Sequence, residues 1–130
     1  GLSIPFPLFN NGKAAVAQAR AQTDSAQALR RAAELDTAQD IASAQANVAN
    51  AATTARNASG PALASASEAA RIARIGYREG KFGQLDLLDA ERTLSETRTA
   101  AIDALATYHD AKARLERLVA AAPSPEETNQ

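Results

Sequence analysis

Residues that could take part in chemistry are few in this chain, and most of them lie in one short stretch. Asp86 and Asp89 are carboxylates three positions apart, and Tyr77 stands shortly before them. His109 is the only histidine, cysteine is absent, and there is no glycine-rich phosphate-binding loop. Catalysis needs a base within reach of a nucleophile, and a metal site needs several converging ligands. The sequence therefore predicts no enzyme, no cofactor and no metal site, and His109 is interpreted as a surface residue.

The stretch around the two carboxylates is predicted to be a turn between helices. Gly76, Gly80 and Gly83 fall within eight residues. Glycine stops a helix because it loses the most backbone entropy on ordering and opens conformations with positive φ. A new apolar pattern then starts at Leu85. We therefore expect a turn over residues 77–84 that joins two antiparallel helices.

The helix after the turn, predicted over residues 85–120, has a regular heptad pattern. Asp86 and Asp89 lie in its first turns, where the helix macrodipole favours carboxylates. Apolar and small residues recur three and four positions apart, as in a coiled coil. These ten residues form the predicted seam of the second helix: Leu87, Ala90, Leu94, Thr97, Ala101, Ala104, Tyr108, Ala111, Leu115 and Leu118.

The helix before the turn is predicted over residues 10–76, with a kink near residues 60–61 because Pro61 cannot donate a helical hydrogen bond. A seven-residue repeat indicates that this helix also packs against a neighbour. The repeat consists mainly of alanine: Ala14, Ala21, Ala28, Leu35, Ala42 and Ala49, with Ala19, Ala26, Ala33, Ile41 and Val48 beside it.

Composition favours long helices over a compact core. Alanine supplies 34 of the 130 residues, and tryptophan, cysteine and methionine are absent. Alanine is the best helix former but buries little apolar area. The net charge of −1 comes from 14 basic and 15 acidic residues that are interspersed, which argues against a nucleic-acid partner. The fold class expected is all-α, a long coiled-coil-like helical hairpin.

The two ends of the chain differ from the helices between them. In residues 1–9 apolar side chains alternate with small residues and proline, so this short extended or β segment is either an arm or the end of a barrel strand. Residues 121–130, rich in proline and glutamate, are predicted to be a disordered tail.

The two helices differ in length. A helix over residues 13–77 spans roughly 100 Å, and one over residues 85–120 about 55 Å. Part of the first helix is thus expected to need partners outside this segment, either other chains or a missing part of its own.

Several motifs together resemble the TolC-like outer-membrane efflux proteins, in their heavy-metal exporter branch. They are the tyrosine–glycine run at residues 76–80, the LDLLDA run at 85–90 and the closing LERL at 115–118. The opening residues 1–10 are similar to the strand that leads into the tunnel helix of the second structural repeat in that family. The resemblance implies a fragment of that repeat, in a trimer whose β-barrel continues into a helical tunnel.

The resemblance also implies partners, a location and a gate. The protein would lie in the outer membrane with a periplasmic extension. It would work as a passive conduit that exports metal ions or drugs, together with a periplasmic adaptor protein and an inner-membrane pump. The gate candidates are Tyr77, Asp86 and Asp89, whose carboxylates would form a cation-attracting ring about the three-fold axis. Where some family members carry a locking arginine, this chain has Phe82, and Arg78 or Lys81 could substitute for that arginine. The alternative for Tyr77 is packing beneath the turn.

The turn itself is where the resemblance implies contact with the adaptor, through Arg78, Glu79, Gly80, Lys81 and Phe82. Two other functions are considered: a periplasmic adaptor-type hairpin and a structural coiled-coil module. The chain lacks the tip signature and flanking lipoyl-like segments of adaptor hairpins, and a bare coiled coil leaves the opening residues unexplained.

Overall fold

Helices make up nearly all of the part of the chain that the structure describes. The computed structural model describes the backbone of Gly1 and residues 8–123, and the side chains of residues 12–123. Helix α1 spans Leu8–Asn57, a π-helical turn spans Ala58–Ala62, α2 spans Leu63–Arg78 and α3 spans Gln84–Ala121. No strand occurs within these described residues. The predicted all-α class is therefore confirmed for them.

The element boundaries differ from the predicted ones by a few residues. Helix α1 begins at Leu8 and not at residue 10, which corrects the predicted extent of the extended segment. Residues 2–7 of that segment and residues 124–130 of the predicted tail lie outside the described part of the chain.

The chain divides into two units, residues 1–39 and residues 40–130. In the first unit the side chains of residues 12–36 are exposed, including the large apolar side chains of Val16, Leu29 and Leu35. A heptad stripe is buried only where a second helix lies against it. The first half of the predicted alanine repeat is therefore a solvent-facing stripe. Within residues 8–123, no helix has both the length and the apolar character needed to cross a membrane.

In the second unit, α3 buries the side that its heptad pattern predicts. All ten predicted seam residues are buried or half-buried, and the rest of α3 is exposed apart from Glu91 and Ala113. The predicted coiled-coil-like packing of this helix is confirmed.

The first arm of the hairpin consists of α1 from residue 40 onward, the π-helical turn and α2. The side of this arm that is covered is only partly the predicted one. Ala42 and Ala49 are exposed, whereas Ile41, Ala44 and Val48 are buried or half-buried. The predicted repeat was wrong here because alanine occurs on every side of this helix and so carries little information about which side is covered. The branched residues, which gain more from burial, mark the covered side correctly.

The best-buried core of this unit lies between α2 and α3. It consists of Ala66, Ala70 and Leu94, with Leu63 packed against it. The two alanines allow the helices to approach closely, and the leucine of α3 fills the space between them. Leu94, at 2% exposure, is the largest fully buried side chain among the described residues.

Replacing Leu94 with alanine should destabilise the hairpin strongly. The change leaves a cavity in the core and should lower the free energy of unfolding by about 2–5 kcal/mol. Leu88 on the same helix is 54% exposed, so Leu88→Ala should cost less than about 0.5 kcal/mol. Chemical denaturation followed by circular dichroism measures both, and equal losses would contradict this packing.

Candidate functional site

The end of α2 is closed by a Schellman motif. The Lys81 amide donates to the carbonyl oxygen of Gly76 at 2.8 Å, and the Gly80 amide donates to that of Tyr77 at 3.1 Å. Gly80 has a φ of +73°, the left-handed conformation that this motif requires at its turning residue. The turn is thus made by backbone hydrogen bonds and by Gly80, whose left-handed conformation would strain most other residues.

Gly76 has a different role from the one its sequence context predicts. It does not end the helix but lies inside α2, and it is buried. A Cβ at this position would lie 2.6 Å from Cε2 and 2.8 Å from Cγ of Phe82, closer than real contacts allow. The missing side chain therefore makes a notch in which the Phe82 ring rests. The Phe82 amide also donates to the Gly76 carbonyl at 3.1 Å, so backbone and ring both fold back onto this residue.

The start of α3 is capped by one of the two predicted gate carboxylates. Gly83 precedes the helix in an extended conformation, and its amide donates to Oδ2 of Asp86 at 2.9 Å. Such a contact satisfies one of the amides that a helix start leaves without a partner. The geometry agrees with the helix-start interpretation of Asp86, and its second carboxylate oxygen remains accessible for other contacts.

The three predicted gate residues do not meet within one chain. Tyr77 is 44% exposed, on the last turn of α2, and Asp86 and Asp89 are exposed on the first turns of α3. Among the described residues no side-chain hydrogen bond joins Tyr77 to either carboxylate. Any convergence of the three would have to occur between copies of the chain.

The five predicted contact residues, Arg78 to Phe82, are all exposed at the turn. Lys81 Nζ lies 2.6 Å from a carboxylate oxygen of Glu79, so these two charges neutralise each other. The Phe82 ring, Ile72 and Ala69 line a shallow groove with Asp86 at its edge. A shallow apolar groove with a charged rim is suited to a protein partner, since an enzyme site needs a deeper pocket with converging polar groups.

An ion pair between the two arms was not found by sequence reasoning. Arg74 of α2 and Glu91 of α3 form a bidentate pair, with Nη2 donating to Oε2 at 2.9 Å. The two residues are 17 positions apart, and nothing in their local sequence distinguishes them from other surface charges. The hydrogen bonds from Arg74 lower the pKa of the Glu91 carboxyl below its ordinary value, and the charge of Arg98 adds to this.

His109 is exposed, as predicted, and its ring lies 5.3 Å from that of Tyr108. Across the described residues no three histidine, aspartate or glutamate side chains come together as metal ligands would. His109 therefore lies on the surface beside one aromatic ring, and the described residues form no group of metal ligands around it.

Comparison with known families identifies the chain. The family model described as outer membrane efflux protein matches residues 1–121. The chain belongs to this family. The resemblance to TolC-like efflux proteins and the outer-membrane location that it implies are thereby confirmed, and the family is one of transport proteins.

One curated relative of this efflux family member is the cobalt-zinc-cadmium resistance protein CzcC of Cupriavidus metallidurans. The two are 29% identical over 119 residues, which are 92% of this chain and 28% of CzcC. The chain thus spans less than a third of the length of this relative. The relative is named for cobalt, zinc and cadmium resistance, and the chain is similar to it in sequence. No solved structure matches the chain at a significant level.

The notch predicts that positions 76 and 82 are energetically coupled. In an isolated helix, Gly→Ala gains about 1 kcal/mol from helix propensity. Gly76→Ala should instead destabilise the chain, because the new Cβ displaces the Phe82 ring, yet it should stabilise a Phe82→Ala variant by up to about 1 kcal/mol. Denaturation of the four chains of this double-mutant cycle provides the measurement. Additive effects would show that the ring does not occupy the notch.

The Arg74–Glu91 pair predicts a dependence of stability on pH. Since folding lowers the pKa of Glu91, its stabilising contribution is present above the ordinary glutamate pKa of about 4.3 and is lost as the pH falls through the lower folded-state value. Glu91→Gln should therefore lower the thermal midpoint at pH 7 but not at roughly pH 2.

The control for this experiment is Glu96→Gln. Glu96 pairs with Arg92 on its own helix, four positions away, so its loss leaves the contact between the arms intact. It should change the midpoint little at either pH, because exposed pairs within one helix contribute little. A Glu91→Gln effect that is the same at both pH values would contradict the assignment.

Proposed function

We propose that this chain is a periplasmic part of an outer-membrane efflux channel, a passive conduit for metal ions. The observation that carries the proposal is the match of residues 1–121 to the efflux family, together with the helical hairpin of residues 40–121. The name of the relative CzcC, a cobalt, zinc and cadmium resistance protein, supports divalent metal ions as the exported class. The family match also favours a channel over an adaptor hairpin or a plain coiled coil.

The channel is proposed to be a trimer that works with a periplasmic adaptor and an inner-membrane pump. Leu35 and the alanines of its seven-residue repeat are exposed within residues 12–36, and this supports additional helical neighbours, since heptad stripes are covered in assembled bundles. Those neighbours are other copies of the chain or the parts of the protein that this segment does not include.

The turn is proposed to be the end of the channel that meets the adaptor. Residues 78–82 are exposed, and the charges of Glu79 and Lys81 cancel, so the surface presents the Phe82 ring and the shallow groove beside it without net charge from that pair. A partner with a complementary apolar side chain would bury the ring and the groove together.

The gate is proposed to consist of Tyr77, Asp86 and Asp89 from each of three copies. Exposed carboxylates brought around one axis attract cations and repel anions. Because Asp86 caps α3 with one oxygen, its carboxylate is held in a fixed position, whereas Asp89 has no such bond among the described residues. Phe82 replaces a locking arginine, so the proposed gate depends on the turn and the carboxylates and not on an arginine at that position.

The double variant Asp86→Asn/Asp89→Asn tests this gate. Asparagine keeps an oxygen that can accept the Gly83 amide, so α3 should stay capped while the negative charge is removed. The full-length channel reconstituted in planar bilayers should then show a smaller preference for potassium over chloride, measured as the reversal potential in a salt gradient.

Glu79→Gln is the matched control for the gate experiment. It also removes one negative charge at the turn, but from a residue outside the proposed ring, and it leaves Lys81 without its partner. It should leave the reversal potential close to that of the wild type. Unchanged selectivity in the double aspartate variant would contradict the carboxylate ring.

A further inference from the structure

The π-helical turn at Ala58–Ala62 lies between two stretches of the first arm that carry covered residues, one in α1 and one in α2. Helix α3 packs against the turn and α2, and its Leu105 and Tyr108 line a groove together with Ala52 and Ala55 of α1. Up to the first residue of the turn, one series of covered residues is spaced alternately three and four apart, with the half-buried Ala52 beside it: Ile41, Ala44, Val48, Ala51, Ala55 and Ala58. After it, the same spacing returns with Leu63, Ala66, Ala70 and Ala73. Each stretch is a regular heptad seam.

The heptad register of the second seam is shifted by one residue relative to that of the first seam. Continuing the first seam by seven from Ala55 and Ala58 leads to Ala62 and Ser65, and both of these are exposed. The covered residues are instead Leu63 and Ala66, eight positions on. In an unbroken α-helix one extra residue turns the following seam by about 100° away from its partner.

A π-turn removes this mismatch. Its hydrogen bonds join residues five apart instead of four, so the turn contains one residue more than an α-turn while the chain advances along the same axis. We propose that the turn at Ala58–Ala62 is a register skip, which absorbs one extra residue so that both seams of the first arm face α3, and that Pro61 holds the skip in this place.

Two local features support the role of Pro61. In an α-helix the carbonyl of Asn57 would face the nitrogen of Pro61, which has no hydrogen to donate. In π geometry that carbonyl faces the amide of Ala62, the fifth residue on, so the proline costs no hydrogen bond. Within the turn, the Ser59 hydroxyl donates to the Ala55 carbonyl at 2.6 Å and gives that carbonyl a side-chain donor.

The skip is also required by the core between α2 and α3, which follows the turn along the chain. With the skip, α2 presents Leu63, Ala66 and Ala70 to Leu94. Without it, the same side of α2 would present Ala62, Ser65 and Ala69, which are now exposed. The core would lose its contact with Leu63. Rotation of α2 would also move Arg74 away from Glu91 and break their ion pair.

The test removes the extra residue. In the first variant Gly60 is deleted and Pro61→Ala is introduced, which leaves a seven-residue spacing and no proline. We expect a thermal midpoint equal to or above that of the wild type. In the second variant Ala100, an exposed small residue of α3, is deleted; no π-turn can absorb that change, so the midpoint should fall by roughly 10 °C or more.

Register is measured directly by thiol cross-linking, since the chain has no native cysteine. A short bifunctional reagent should join Arg74→Cys to Glu91→Cys both in the wild-type background and in the variant that lacks Gly60. The pair Arg74→Cys/Arg92→Cys is the control and should react poorly, because Arg92 points toward Glu96 on its own helix. Loss of the 74–91 cross-link, or unfolding, in the shortened variant would overturn the skip.

The pinning by Pro61 is tested by Pro61→Ala alone, with the full chain length kept. The extra residue still has to be absorbed, so the 74–91 cross-link should remain. The skip should now be able to move along the helix, and amide hydrogen exchange over residues 55–66 should become faster than in the wild type. Unchanged exchange in this variant would overturn the role of Pro61.

Discussion

The structure depends on keeping two helices in register when one of them offers mainly alanine to the other. Alanine lets helices approach closely, but each alanine buries little area. A seam of this kind gains its stability from being continuous over many turns, so a small rotation of one helix is costly. The one-residue mismatch of the first arm is therefore a severe constraint, and the π-turn at Ala58–Ala62 satisfies it without interrupting the helix.

The sequence predicts the second arm well and the first arm poorly, for a physical reason. In α3 the seam carries leucines and a tyrosine among smaller residues, so its seven-residue period is clear, and all ten seam residues are covered. In α1 alanine occupies exposed and covered positions alike, and Ala42 and Ala49 were assigned to the wrong side. Pro61 marks an irregularity in any reading of the sequence, but a break, a kink and a π-turn all fit the same residues.

The turn shows a similar division between what local sequence determines and what it does not. Glycine at position 80 was expected because a left-handed residue ends many helices, and the helix start at Gln84 follows from the acidic LDLLDA run. The notch of Gly76 and the pair of Arg74 with Glu91 depend on residues brought together by folding. The gate residues are a harder case, since Tyr77, Asp86 and Asp89 are separate within one chain and acquire a common site only in the proposed assembly.

The contact of Phe82 with Gly76 restricts the order in which the turn can change during evolution. A side chain at position 76 cannot be accommodated while the ring lies over it, so a larger residue there has to follow, and not precede, the loss of the aromatic ring at 82. The reverse order carries no such barrier, because removing the ring leaves the helix intact. Without an aromatic residue at 82 a side chain at 76 would not meet this clash, whereas an aromatic ring at 82 favours glycine at 76.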